Sequence, residues 1–307
     1  ALIGSLSIAN KQMVEIAKAI SRDARVVFMD EPTAVLSREE TSFLFKQVRK
    51  LRDQGTSFVF VSHKLDEVME LTDRVTVLRD GAYIGTRATA ETDSGELVHM
   101  MVGRRIEALF PKIEAPIGAP VLEARDLVAK PMTRGVSLTV RAGEIVGLAG
   151  LAGHGQTDLL IAAFDAAGRQ RGATQINAPV ALVAGDRQTD GVFPLWSIAE
   201  NIAVRSFNQL KAGPLLSARR ERALADQWRA RIKMPDVGAN ILSLSGGNQQ
   251  KALFARALGS DAGIVLMDDP MRGVDFGTKL EVYDLVREEA ARGRTFLWYT
   301  TETEELK

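Results

Sequence analysis

The sequence predicts an α/β protein built on parallel sheet covered by helices, and three observations carry that expectation. Residues Ser5 to Glu67 repeat without a gap as Ser243 to Glu305, an offset of 238 positions that sets Gln12 on Gln250, Met29-Asp30 on Met267-Asp268 and Pro32 on Pro270. In both copies short apolar runs alternate with amphipathic segments, the pattern of strands joined by helices. A glycine-rich turn lies between an apolar run, Gly143 to Gly150, and a helical one, Asp158 to Phe164.

Element by element, the first copy reads helix, apolar strand (Val26 to Met29), acidic pair (Asp30-Glu31), Pro32, helix (Arg38 to Asp53) and a second apolar strand (Phe58 to Ser62). Pro111 to Pro120 holds three prolines and one glycine, which reads as a stiff linker between a domain over 1–110 and one over 121–307. Beyond it come the strand and glycine loop, a helical stretch from Ser217 to Ile232 and a helix from Asn248 to Leu258. A strand (Ile264 to Met267), the pair Asp268-Asp269, a helix (Gly277 to Ala291) and a last strand complete the second copy. By the offset, the first copy's glycine loop would lie ahead of Ala1, and position 307 corresponds to position 69. The sequence is therefore expected to open inside its first domain and to stop before its second is complete.

Composition narrows the function. With 46% hydrophobic and 25% charged residues the chain reads as soluble and globular, with one or two substantial cores. Lys plus Arg and Asp plus Glu both total 39, so the basic excess that a nucleic-acid binder needs is missing. The absence of cysteine excludes a disulfide framework and Cys-based zinc, and it fits a reducing compartment. No apolar run approaches the roughly 18 residues of a spanning helix, so a membrane role would need partner subunits.

Four constellations carry chemistry. Gly150-Leu151-Ala152-Gly153-His154-Gly155-Gln156-Thr157 has the spacing of the phosphate-cradling loop G-x-x-x-x-G-K-[ST], in which glycines let backbone N–H groups converge on phosphate oxygens at a helix N-terminus. Gln156 stands where lysine is expected, so the charge for the outer phosphates is lost, while Thr157 retains a hydroxyl for Mg²⁺. Leu244-Ser245-Gly246-Gly247-Asn248-Gln249-Gln250 opens a helix with hydroxyl and backbone donors aimed at a terminal phosphate; the bland alternative is a Ser-capped helix. Its first-copy counterpart, Leu6-Ser7-Ile8-Ala9-Asn10-Lys11-Gln12, has lost the glycine pair. Asp30 and Glu31 end a strand where sheet enzymes collect ligands: Asp30 would hold Mg²⁺ through water and Glu31 would polarise the attacking water. The second copy has Asp268 and the shorter Asp269. His63, just past the second strand, would hydrogen-bond the terminal phosphate, whereas its repeat partner is Thr301; His99 and His154 read as structural.

These strings, with Val75 to Gly81 and Met101-Val102-Gly103-Arg104, resemble the ATP-binding subunits of bacterial carbohydrate importers of the ABC superfamily, which carry two fused nucleotide-binding domains. The likeness spans nearly the whole chain. It implies a P-loop NTPase fold with a RecA-like parallel core, an antiparallel β subdomain and an α-helical subdomain, in two tandem copies of which the first is incomplete. It further implies ATP and Mg²⁺ as cofactors, and ATP hydrolysis energising monosaccharide import. Integral membrane permease subunits would be the partners, a periplasmic sugar-binding protein an indirect one and nucleic acid none, at the cytoplasmic face of the bacterial inner membrane. In such proteins each ATP is held by the phosphate loop of one domain and the Leu-Ser-Gly-Gly helix of the other. The resemblance therefore groups Glu31, His63 and Asp30 with Ser245 to Gly247 as the competent site, and Gln156, Asp269 and Thr301 with Ser7 to Gln12 as a degenerate one. The family usually has Arg at the position of Gln156, Glu at that of Asp269 and an acidic or amide residue at that of Gly185, so each is a departure. Val183-Ala184-Gly185-Asp186-Arg187 sits where the family's Q-loop segment falls, and Phe193 and Trp196 follow it, where the family receives a cytoplasmic helix of the permease; packing beneath Ser217 to Ile232 is the alternative. The rival functions are a tandem ABC ATPase acting on ribosomes or nucleic acid, and a non-catalytic nucleotide-sensing module.

Overall fold

In the computed structural model the chain is described at residues 3, 6, 8–21, 24–33, 36–62, 64–79, 81–103, 116–129, 133–150, 153–169, 174–234, 236–302 and 305. It divides into two units, Ala1–Ala108 and Leu109–Lys307.

In the first unit α1 (Ile8–Ile20), β1 (Val26–Asp30), α2 (Arg38–Asp53) and β2 (Ser57–Val61) follow one another, and β1 pairs with β2 in parallel. Helix α2 starts where the sequence dictates. Ser37 accepts from the Glu40 amide while the Glu40 carboxylate accepts from the Ser37 amide, a reciprocal cap, and Leu44, Phe45 and Val48 form the buried stripe one turn on. Then come α3 (Leu65–Leu71), the antiparallel pair β3 (Arg74–Arg79) and β4 (Ala82–Ala88), and α4 (Ser94–Val102), whose Leu97 and Met100 pack on Val77.

The second unit begins with an antiparallel sheet of β5 (Pro120–Ala129), β6 (Thr133–Arg141) and, after β7 (Ile145–Leu148) and α5 (Gln156–Arg169), β8 (Thr174–Ile176). Strand β9 (Val180–Val183) precedes a helical region of α6 (Ile198–Ala203), α7 (Phe207–Leu210), the two-residue strands β10 (Lys211–Ala212) and β11 (Leu215–Leu216), and α8 (Ala218–Ile232). Helix α9 (Gly246–Leu258), β12 (Ile264–Asp268), α10 (Phe276–Ala291) and β13 (Thr295–Tyr299) close it. The central sheet has the order β7-β13-β12-β9, all parallel. Every residue of β13 is buried, as expected of a parallel strand covered on both faces. This is a P-loop NTPase-type parallel core with helices, carrying the antiparallel sheet and the helical region that the resemblance implies.

The repeat is visible in backbone register. Val26↔Ser57 through Asp30↔Val61 returns as Ile264↔Thr295 through Asp268↔Tyr299. Surroundings differ: Phe28 is 76% exposed, whereas its counterpart Leu266 is fully buried in a core shared with Leu160 of α5. Boundaries shift slightly from the sequence reading. Both strands run one residue further, to Asp30 and Asp268, and α9 begins at Gly246 because Ser245 caps it directly. Helix α5 begins at Gln156 and runs to Arg169, two residues earlier and five later than read from composition.

Candidate functional site

In the second unit the glycine loop joins the C-terminal end of β7 to α5, and Gly150, Gly153 and Gly155 all have positive φ, at 145°, 83° and 99°. A side chain would strain each of these three positions, so glycine is the residue that suits them. Gln156 turns back over the loop: its Nε2 donates to the Ala149 carbonyl at 3.4 Å, and a Cβ at Gly150 would overlap the carboxamide. Thr157 Oγ1 donates to Asp268 Oδ1 at 2.8 Å, which brings together the hydroxyl and carboxylate that the sequence assigned to Mg²⁺. Burial raises the pKa of Asp268 and the neighbouring Asp269 charge adds to it, against the opposing Thr157 hydrogen bond. A cation is the natural complement of such a carboxylate. Among the described residues, no group of three or more His, Cys, Asp or Glu side chains forms a metal cluster, so a Mg²⁺ here would lean on Thr157, Asp268, water and phosphate.

Asp269 is buried and its carboxylate accepts twice from Thr301, from Oγ1 at 2.9 Å and from the amide at 3.2 Å. Its amide donates to Tyr299 O at 2.9 Å, as that of Glu31 does to Val61 O at 2.9 Å, and both residues adopt left-handed φ, 43° and 47°. The two acids thus occupy one backbone geometry at equivalent strand ends. Asp30 is exposed at the end of β1. His63 lies outside the described residues.

The Leu244 to Gln250 string does form a helix start. Leu244 is buried, Ser245 accepts from the Asn248 amide at 3.4 Å, and Gln249 Nε2 donates to Leu244 O at 3.1 Å, turned onto its own loop. Gly246 and Gly247 lie close against side chains of their own unit. A Cβ at Gly246 would stand 2.8 Å from Arg187 Nη2, and one at Gly247 would stand 2.8 Å from Asp275 Oδ2. The closeness of Arg187 to Gly246 was not flagged by the sequence, and no short-range pattern announces it. Gly185 is explained by the same test: a Cβ there would sit 2.7 Å from Asp268 O, so the acidic or amide residue usual at that position has no room.

The apolar run after the Q-loop position splits in two. Val192 is buried in a core with Trp228 and Ile232 of α8, whereas Phe193 and Leu195 are exposed, Leu195 at 91%. Phe193 stacks on Trp196 with ring centroids 4.5 Å apart. The Ser197–Glu200 cap then starts α6.

Residues 133–272 match the ABC transporter family. The chain is similar along its whole length to ribose import ATP-binding protein RbsA 1 of Rubrobacter xylanophilus, 42% identical over 325 residues that cover 100% of this chain and 64% of that protein. It is similar also to a putative ribose/galactose/methyl galactoside import ATP-binding protein of Pseudomonas fluorescens, 38% identical over 99% of this chain and 62% of that protein. The chain therefore spans less than two thirds of the length of these relatives. Among solved structures, a chain from the ribosome-bound archaeal Pelota and ABCE1 complex aligns over 99% of this chain and 52% of its own, with TM-score 0.68 and 20% identity, a likeness of fold alone. One ABC domain is matched; the first copy rests on the repeat and its register.

Proposed function

We propose, on the premise that residues 133–272 are an ABC transporter ATPase domain, that the protein binds and hydrolyses ATP to energise monosaccharide import. It would work through integral membrane permease subunits, and indirectly a periplasmic sugar-binding protein, at the cytoplasmic face of the bacterial inner membrane. One observation carries the reading: a strand–glycine loop–helix and a Ser-capped Leu-Ser-Gly-Gly helix stand in one domain. The names of the relatives supply the sugar. No helix among the described residues is long and apolar enough to cross a membrane, so permeases would provide the channel.

In this reading Gly150, Gly153, Gly155 and Gln156 cradle phosphate, and Thr157 with Asp268 holds Mg²⁺, which would neutralise charge between phosphate oxygens. Leu244, Ser245, Gly246, Gly247 and Gln249 present a helix N-terminus to a terminal phosphate. Asp30 serves Mg²⁺ in the first copy, Glu31 polarises water and His63 meets the terminal phosphate. Asp269, tied to Thr301, leaves the second copy the weaker of the two. The stacked Phe193 and Trp196 with exposed Leu195 serve as the permease-facing groove.

The test is twofold. A fluorescent ATP analogue should bind the chain with Mg²⁺ dependence, and the protein recovered from its native cells should copurify with integral membrane permeases. Copurification with ribosomes instead would overturn the import reading.

A further inference from the structure

The aromatic loop is held by an internal network that no sequence motif announced. Asn201, on α6 and fully buried, brackets Phe193: its Oδ1 accepts from the Phe193 amide at 2.9 Å and its Nδ2 donates to the Phe193 carbonyl at 3.1 Å. Nδ2 also donates to Ser197 O at 3.0 Å, so one side chain fixes both ends of the loop. Arg256, in the last turn of α9, then holds Asn201. Its Nε donates to Asn201 O at 2.7 Å, its Nη2 to Asn201 Oδ1 at 2.9 Å and its Nη1 to Gly191 O at 2.6 Å, while its guanidinium lies 5.3 Å from the Phe193 ring centroid. All three hydrogen bonds end on neutral oxygens, and burial brings the Arg256 pKa down to about 10.

The same segment meets α9 at its other end. Arg187 lies against Gly246 at the helix start, and Gly191 is packed so closely on Leu253 that a Cβ would stand 2.8 Å from Leu253 Cδ1. Residues 187–193 therefore run along α9 as a strut, touching it at the Ser245–Gly247 end and at the Arg256 end. A buried fork with three well-placed acceptors fixes direction as well as distance.

We propose that Arg256 and Asn201 are positioning residues that lock the aromatic loop 192–197 to the Leu-Ser-Gly-Gly helix, so that loop and helix move as one body. The proposal rests on reading that loop as partner-facing, but its first test needs no partner. Hydrogen exchange would be followed by mass spectrometry in the full chain carrying Arg256→Lys, which keeps charge but not the fork, or Asn201→Leu, which keeps approximate volume but neither the Nδ2 donor nor the Oδ1 acceptor. Each variant removes at least one of these hydrogen bonds and should speed exchange at 192–197 by about tenfold. In Asn201→Leu the faster exchange should extend to 246–250, which Asn201 does not touch, while β12 and β13 stay protected.

Unchanged exchange at 192–197 in both variants, or faster exchange spread evenly into β12 and β13, overturns the proposal; the second result would mark a general core role. Faster exchange confined to loop and helix, together with weakened copurification with permease, supports it. Faster local exchange with undiminished copurification upholds the lock and instead refutes the partner assignment of the loop.

Discussion

If the glycine loop of the second unit cradles phosphate as proposed, replacing Gln156 by lysine should make it a much tighter nucleotide site. The substitution removes little, since the Gln156 amide makes one long hydrogen bond of 3.4 Å to Ala149 O at an exposed position. It adds a cation at the start of α5, beside three glycines with positive φ. A hydrogen bond to a charged group contributes about 1.5–3 kcal/mol, which at ~1.4 kcal/mol per decade is about 10- to 150-fold in affinity. Calorimetric titration of the chain with ATP and Mg²⁺ would read this, with Gln156→Met as the uncharged control, and the gain should shrink as salt is raised. Hydrolysis should stay slow in the lysine variant, because the Asp269 carboxylate remains occupied by two hydrogen bonds from Thr301. An affinity change equal in the lysine and methionine variants would refute the reasoning, as would rapid turnover.

Three further outcomes are expected. Trp196→Ala in a chain extended to the length of the relatives should reduce permease association and stimulated ATPase while leaving ATP binding and folding intact; if the variant unfolds, or assembles normally, the stacked pair belongs to the core. In a chain extended to the length of the relatives, Glu31→Gln should abolish turnover far more than Asp269→Asn, and equal losses would show the two acids to be equivalent. The folded-state pKa of Asp268 is raised by burial above its ordinary 3.8, so its contribution to stability is fully present below that value and is lost as pH rises through the folded-state pKa. Asp268→Asn should accordingly raise Tm at neutral pH without Mg²⁺, by a margin that narrows on acidification; scanning calorimetry showing a wider margin at low pH would contradict the assignment.

Much of this was legible in the sequence because it is periodic or punctuated. The helix from Arg38 to Asp53 has its start written in Ser37 and Glu40, and the parallel pairs follow from apolar runs of strand length. What stayed hidden depends on contacts between residues far apart in the chain. Nothing near Gly185 says that a Cβ would collide with Asp268 O, and nothing near Asn201 says that its carboxamide holds Phe193 while Arg256, 55 positions on, holds it in turn. The helix start at Gly246 lies two residues ahead of the one the sequence suggests because glycines score poorly as helix formers, although the Ser245 cap before them decides the matter. The split of Val192 from Phe193 also required the fold, since one apolar run supplies both a core residue and a surface.

The shared left-handed backbone of Glu31 and Asp269 has a different consequence in each copy. Aspartate is among the few non-glycine residues enriched in that conformation, whereas glutamate is not, so the same bend weighs more heavily on the first copy. Where Thr301 ties the acid down, the residue present is the one the backbone prefers; where an acid with longer reach is kept, the chain carries the strain. The two copies thus differ at one shared bend, one toward comfort of the main chain and the other toward reach of the side chain.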